Sequence, residues 1–147
     1  MRAAIDTNIL AYAAGVNGDA LRTDALNLLD RLAQGMGVVP VQALGELFNV
    51  LTRKAGWKRA DARNTVLGWS DTFPLVPTSE PVIAGALELA TTHNFGLWDG
   101  IIVAAAAESG CRFLLTEDLQ EGFIWRGVTV ANPFSKSLHP LLMQALQ

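Results

Sequence analysis

Arg2-Ala3-Ala4-Ile5-Asp6-Thr7-Asn8 brings a short apolar run near the start of the chain to an end in three polar residues. We interpret the run as a buried strand with a carboxylate, Asp6, at its C-terminal end. The segment from Arg112 to Thr116 is similar, because a strand pattern is followed there by Glu117 and Asp118. Ligands of open α/β sheets bind at the carboxyl ends of the strands, so these acidic residues mark the place to look for chemistry.

Short apolar runs alternate with segments of helical periodicity along the rest of the chain. Further strands are predicted at 37–40, 75–77 and 128–130, and helices at 9–14, 19–35, 41–54, 59–69, 81–93 and 98–110. The face of the 41–54 helix that we expect to lie in the core consists of Val41, Leu44, Leu47, Phe48 and Leu51. This alternation implies an α/β fold in which helices cover both faces of a parallel sheet.

Composition limits the class of protein. The chain has 147 residues, of which 50% are hydrophobic and 17% charged, with a formal net charge of −3. This length fits one domain, and the apolar content excludes disorder. The single cysteine, Cys111, excludes a disulfide framework and is expected to be a small buried hydrophobe. The longest apolar run, 101–107, is far shorter than the ~20 residues that span a bilayer, and no signal peptide is recognised. We expect a soluble cytoplasmic domain without a membrane partner.

Four acidic residues are candidates for a common site, namely Asp6, Glu46, Asp99 and Asp118. Each has an ordinary alternative explanation. Asp6 and Asp99 stand where helix caps belong, Glu46 fits a solvated helix face, and Asp118 fits a turn. Carboxylates held together without counter-charges repel one another, and a divalent cation removes that penalty. Mg²⁺ or Mn²⁺ prefers oxygen ligands and leaves positions open for a substrate phosphate.

Two polar neighbours have roles that the sequence leaves open. Thr116 could hold a water or a phosphate oxygen, whereas Asn8 could orient a carboxylate, bind substrate or serve a turn. His93, His139 and Cys111 have no ligand spacing, which argues against zinc. Dinucleotide-binding, P-loop and Ser-His-Asp patterns are also absent.

The segments that carry these residues resemble the PIN-domain ribonucleases, most closely the VapC-like toxins of bacterial toxin–antitoxin pairs. The matching segments are 5–10, 43–47, 97–106, 115–120 and 130–134. The resemblance implies a PIN fold over residues 1–134. It also implies a catalytic site that holds Mg²⁺ or Mn²⁺ through Asp6, Glu46, Asp99 and Asp118, with support from Thr116 and Asn8. RNA phosphodiester hydrolysis, a homodimer and a cognate antitoxin are implied as well.

The chain departs from the family pattern in two places. Gly100 replaces the usual alanine after Asp99, which is expected to loosen the start of that helix. Residues 135–147 form a C-terminal tail of unknown role, in which leucines at 138, 141, 142 and 146 have helical spacing.

An RNA substrate calls for positive charge near the acids. Residues 53–63 contain five of the eleven basic residues, with Trp57 among them. Substrate binding is predicted for Arg53, Lys54, Lys58 and Arg59. The alternative is a solvated surface with Trp57 in the core. The other three tryptophans, including Trp98, are expected in core or interface packing.

The leading prediction is a metal-dependent endoribonuclease that acts as the toxin of a type II toxin–antitoxin pair. One alternative is a non-catalytic PIN-like module that binds RNA or protein. The other is a phosphate-handling α/β enzyme such as a phosphatase.

Overall fold

Six short strands form one sheet in the computed structural model, which describes all residues from 1 to 147. They are β1 (Ala3–Ile5), β2 (Gly37–Pro40), β3 (Leu75–Val76), β4 (Phe113–Leu115), β5 (Ile124–Trp125) and β6 (Val128–Ala131). Their order in the sheet is β3-β2-β1-β4-β6-β5. All neighbouring pairs are parallel except β5 and β6, which are antiparallel. The predicted α/β class and the parallel sheet are therefore confirmed, with one antiparallel edge strand added.

Helices cover both faces of the sheet, since successive side chains of a strand point to opposite faces and every residue of β1, β2 and β4 is buried. The helices are α1 (Thr7–Ala13), α2 (Asp19–Leu32), α3 (Val41–Asn49), α4 (Arg59–Thr72), α5 (Glu80–Thr92), α6 (Leu97–Glu108) and α7 (Pro140–Ala145). A π-helical turn, Val50–Lys54, continues α3. None of these helices is long and apolar enough to cross a membrane.

The edge strand β5, of two residues, was not predicted. A sequence signal was nevertheless present in the turn that joins it to β6. Arg126 and Gly127 both have positive φ, 46° and 84°, which is the backbone of the tight hairpin turns that favour glycine.

The core confirms most of the predicted burial on α3 and corrects it at one position. Leu47 and Leu51 are fully buried, and Leu44 and Phe48 are half-buried against the core. Val41 is 41% exposed, so its expected place in the core is wrong. As the first residue of α3, it lies on the core-facing stripe but beyond the elements that cover that stripe. Cys111 is buried as expected, and burial raises the pKa of its thiol.

Gly100 has a packing role rather than the expected loosening effect. A Cβ atom at this position would lie 3.1 Å from the carbonyl oxygen of Ala86 and 3.3 Å from its Cα. The absence of a side chain therefore allows α6 to approach α5 closely.

The C-terminal tail packs against the domain. Leu142 of α7 is fully buried, and Leu138 and Leu146 are half-buried against the core. The ring of His139 lies edge-on to Phe113 of β4, with 5.1 Å between the centroids. The division of the chain at residue 134 stays a prediction.

Candidate active site

The carboxyl ends of β1 and β4 lie side by side and carry the first part of the site. The backbone N–H of Asp6, directly after β1, donates to the carbonyl of Leu115, the last residue of β4. Asp6 is only 6% exposed. Its carboxylate accepts a hydrogen bond of 2.7 Å from the N–H of Thr7 and so caps α1. The predicted cap and a site carboxylate are thus compatible roles of one residue.

The Thr116 hydroxyl, 1% exposed, connects the strand ends. Its oxygen accepts hydrogen bonds from the Asn8 amide at 2.9 Å and from the N–H of Asp118 at 3.0 Å. A hydroxyl has two acceptor sites and one proton, so only the proton remains free. Thr116 also lowers the pKa of Asp6 and so favours the ionised carboxylate.

Asn8 holds the turn that follows β4. Besides its bond to Thr116, its amide donates to the Asp118 carboxylate at 3.1 Å, and its carbonyl accepts from the N–H of Glu117 at 3.2 Å. Both amide hydrogens are therefore used within the protein. Of the roles that the sequence left open for Asn8, this geometry supports the orientation of a carboxylate.

Glu46 projects from α3 and is held at both carboxylate oxygens. The Thr7 hydroxyl donates to one at 2.9 Å, and the Gln42 amide donates to the other at 2.6 Å. The same amide donates to the backbone carbonyl of Trp98 at 3.0 Å. Gln42 thereby fixes α3 against the first turn of α6, where Asp99 lies.

Burial and mutual repulsion raise the pKa values of two of the acids. Burial is the main cause for Asp6, whose pKa rises to about 6 although the bonds from Thr7 and Thr116 oppose the change, and the charges of Glu46 and Asp118 add to it. Burial, followed by the same two charges, also raises the pKa of Asp99. Asp6 and Asp99 therefore each lie within reach of the charges of Glu46 and Asp118. No lysine or arginine pairs with any of them, because the only salt bridge of the structure joins Arg126 to Glu88.

These residues suit a hard divalent cation by donor chemistry, since every donor is oxygen and the negative charge is uncompensated. No three His, Cys, Asp or Glu side chains are arranged to hold one ion together. Mg²⁺ is usually bound through one or two carboxylates and several waters, so its binding does not require three such side chains.

Two clefts meet at Glu46. The first, of about 600 Å³, is lined by Gln42, Gly45, Glu46, Asn49, Trp98 and Asp99. The second, of about 390 Å³, is lined chiefly by polar residues that include Asn8, Tyr12, Glu46, Lys54 and Asp118. A substrate that occupied both clefts would cross the acidic centre.

The predicted basic residues Arg53, Lys54, Lys58 and Arg59 are all exposed, and one of them reaches the site. Lys54, at the end of the π-helical turn, lines the second cleft, whereas the Arg59 guanidinium lies 6.0 Å from the Phe48 ring centroid. Trp57 is half-buried against the core, which supports the alternative given for it. Trp98 is 65% exposed, so of the two places expected for it the core is wrong, and interface packing stays a prediction.

Sequence reasoning missed the part played by Tyr12. Its hydroxyl donates to the Glu117 carboxylate at 2.7 Å, and this bond raises its pKa to about 12. Gln42 was detectable as the residue one turn before Glu46 on the same helix face. Nothing in the sequence pairs Tyr12 with Glu117, which follows it by 105 positions.

A sequence model described as PIN domain matches residues 3–121. Among solved structures, the chain is similar to VapBC2 from Rickettsia felis bound to a DNA fragment from its promoter, at 19% identity and a TM-score of 0.67. It is similar to a toxin–antitoxin complex from Klebsiella pneumoniae at 22% identity and a TM-score of 0.66. Each match covers 90% of this chain and 98% of the other. VapC20 from Mycobacterium tuberculosis, a sarcin-ricin loop cleaving toxin, matches at 19% identity and a TM-score of 0.59, over 76% of this chain and 86% of the other. Curated protein sequences give no significant match.

Proposed function

The chain belongs to the PIN domain family, and from that premise we propose that it is a metal-dependent endoribonuclease that hydrolyses RNA phosphodiester bonds. The observation that carries the proposal is the set of four acidic residues, without basic partners, around the buried bonds of Asn8 and Thr116 at the carboxyl ends of β1 and β4. Acidic residues that served only to stabilise the fold would be expected to have basic partners.

In this proposal Asp6 and Asp99 are the principal ligands of Mg²⁺ or Mn²⁺, and Glu46 and Asp118 complete the site directly or through water. The ion would neutralise the acids, polarise a phosphoryl oxygen and stabilise the leaving oxygen. Neither cleft is lined by serine or cysteine, and water is the proposed nucleophile. The resemblance to the PIN-domain ribonucleases implies 5′-phosphate and 3′-hydroxyl ends as the products.

The remaining side chains position these groups. Asn8 and Thr116 hold Asp118 beside the carboxyl end of β1, so substitution of either should displace this carboxylate. Lys54 supplies a positive charge in the second cleft and is the proposed phosphate contact. The exposed Arg53, Lys58 and Arg59 extend this charge along the chain and would strengthen RNA binding in a salt-dependent way.

We further propose that the protein is the toxin of a type II toxin–antitoxin pair in the bacterial cytoplasm, forming a homodimer held inactive by an antitoxin. The support is its likeness in fold to chains of complexes that are named as toxin–antitoxin pairs. Co-expression with the adjacent small reading frame, followed by co-purification and light scattering, tests both the partner and the dimer.

Cleavage of a mixed-sequence RNA tests the activity. Wild type should cut in Mg²⁺ or Mn²⁺ and not in chelator. Asp6→Asn and Asp99→Asn should each lose at least about 100-fold in cleavage rate, since replacing a residue that only hydrogen-bonds to a metal ligand already costs about 10- to 100-fold. Asp71→Asn, an exposed acid on α4, is the matched control and should cut normally. RNA affinity without turnover in any divalent metal would favour the non-catalytic module instead, and release of inorganic phosphate from a monoester would favour the phosphatase.

A further inference from the structure

Trp98 presents a large uncovered aromatic face beside the acidic centre. Its side chain is 65% exposed, although indole is among the most costly groups to leave in water. It lies in the first turn of α6, directly before Asp99, and lines the first cleft together with Glu46. An exposed aromatic ring at this place is available to a ligand that also reaches the acids.

The backbone that carries the ring is held in a fixed position. Gln42 donates both to the carbonyl of Trp98 and to Glu46, so one side chain fixes the start of α6 relative to the acid on α3. Across the cleft, a Cβ atom added to Gly45 would meet no atom within 4 Å, which leaves the α3 side of the cleft open. Asn49 adds a further amide to the lining.

The charges of the two clefts differ and indicate which part of a nucleotide each accepts. The first cleft is lined by two acids and no basic residue, so it disfavours a phosphate group. Its uncharged groups are an aromatic face and two side-chain amides, which suit the face and the edge of a nucleobase. The second cleft is also lined by two acids, Glu46 and Asp118, but it contains Lys54, which can contact a phosphate. Glu46 lies between them and lines both.

We propose that the first cleft binds one unpaired nucleobase of single-stranded RNA, stacked on Trp98, next to the phosphate that is cleaved. The proposal rests on the proposed function. It restricts the substrate to single-stranded segments, loops or bulges, because a base within a duplex is covered on both faces by its neighbours and cannot stack on the indole.

Binding of a fluorescently labelled eight-nucleotide single-stranded RNA tests the proposal, at low salt and in chelator so that no turnover occurs. Wild type, Trp98→Ala and Trp98→Phe are compared, with Leu67→Ala as the control, since Leu67 is an exposed apolar residue on α4. Trp98→Ala should weaken binding by about 5- to 150-fold, the range for loss of one base–aromatic stack. Trp98→Phe should retain most of the affinity, and Leu67→Ala all of it.

A series of the same RNA with one abasic position at a time identifies the stacked base. One position should weaken binding to the wild type by the factor that Trp98→Ala causes, and should have no further effect on Trp98→Ala. Equal affinities of wild type and Trp98→Ala, or equal abasic penalties in both, would overturn the proposal. So would a variant that loses self-association or antitoxin binding while its affinity for RNA is unchanged, because Trp98 would then belong to a protein interface.

The outcome separates this proposal from the proposed function. If the wild type cleaves RNA in Mg²⁺ and Trp98→Ala binds RNA as tightly as the wild type, the base site is rejected and the nuclease function is retained. If the binding penalties of Trp98→Ala and of one abasic position are coupled but no RNA is cleaved, the nuclease function is rejected and the base site is retained.

Discussion

Replacing Asp6 by asparagine should stabilise the metal-free protein at neutral pH while abolishing its activity. A pKa that rises from 3.8 to about 6 on folding corresponds to about 3 kcal/mol of unfavourable free energy for the ionised carboxylate at pH 7, since each pKa unit is worth about 1.4 kcal/mol. Asparagine removes the charge and keeps an oxygen that can accept from the Thr7 N–H and cap α1. Its hydrogen bonds are weaker than those of a carboxylate, so we expect a net gain of about 1–3 kcal/mol.

The pH dependence gives the sign of the effect. Because the folded-state pKa of Asp6 is raised, the folded protein binds this proton more tightly than the unfolded chain does. Wild type therefore loses this contribution to stability as the pH rises from about 4 to about 6, and the loss is complete at pH 7. The advantage of Asp6→Asn should be largest at pH 7 and should fall toward zero near pH 4.

Urea unfolding in chelator at pH 4, 5, 6 and 7 measures this difference, with Asp71→Asn as the exposed-acid control that should show no comparable trend. Mg²⁺ at about ten times its Kd should then stabilise the wild type by about 1.4 kcal/mol and Asp6→Asn much less. A variant less stable than the wild type at pH 7 in chelator, or an advantage that stays constant from pH 4 to pH 7, would refute the reasoning.

Three further predictions concern the surroundings of the site. Thr116→Val should lower the free energy of unfolding by about 1–3 kcal/mol and reduce RNA cleavage, because the Asn8 amide and the Asp118 N–H lose their shared acceptor. Urea unfolding measures the effect, with the exposed Thr91→Val as the control. Equal stabilities of the two variants would contradict the prediction. Gly100→Ala should destabilise the fold by about 1–3 kcal/mol, because the added Cβ would press against Ala86. The control Gly68→Ala, at an exposed helix position with open space, should be neutral or stabilising. Thermal unfolding compares the two variants, and the opposite ranking would contradict the packing. The absorbance of the single tyrosine, Tyr12, should titrate near pH 12 rather than 10 if the fold survives at that pH, and Glu117→Gln should lower the midpoint; a midpoint near 10 in folded wild type would argue against the Glu117 bond.

The sequence predicted the parts of this fold that depend on local pattern. Apolar runs that end in an acid placed Asp6 and Asp118 after β1 and β4, because a short apolar run bounded by polar residues is typical of a buried strand. The parallel sheet followed from the alternation of strands with helices. Local pattern also placed Glu46 on a polar face of its helix.

What the sequence did not predict depends on which elements come into contact. Helical periodicity assigns Val41 to the core-facing stripe but does not say how far along the stripe the covering elements extend. An apolar aromatic residue such as Trp98 is assigned to the core by its chemistry, and only the packed structure shows that nothing covers it. The bond from Gln42 to the carbonyl of Trp98 depends on the distance between α3 and α6, which no local pattern encodes.

The bonds of Asn8 have a consequence for the synthesis of the protein on the ribosome. They join the start of α1 to residues more than 100 positions later, at Thr116 and Asp118. A nascent chain that has not yet released residue 118 therefore has no arrangement of the four acids, whatever its N-terminal half has folded into. An enzyme that attacks RNA would in this way remain harmless to the ribosome and message that produce it until nearly the whole domain has left the exit tunnel.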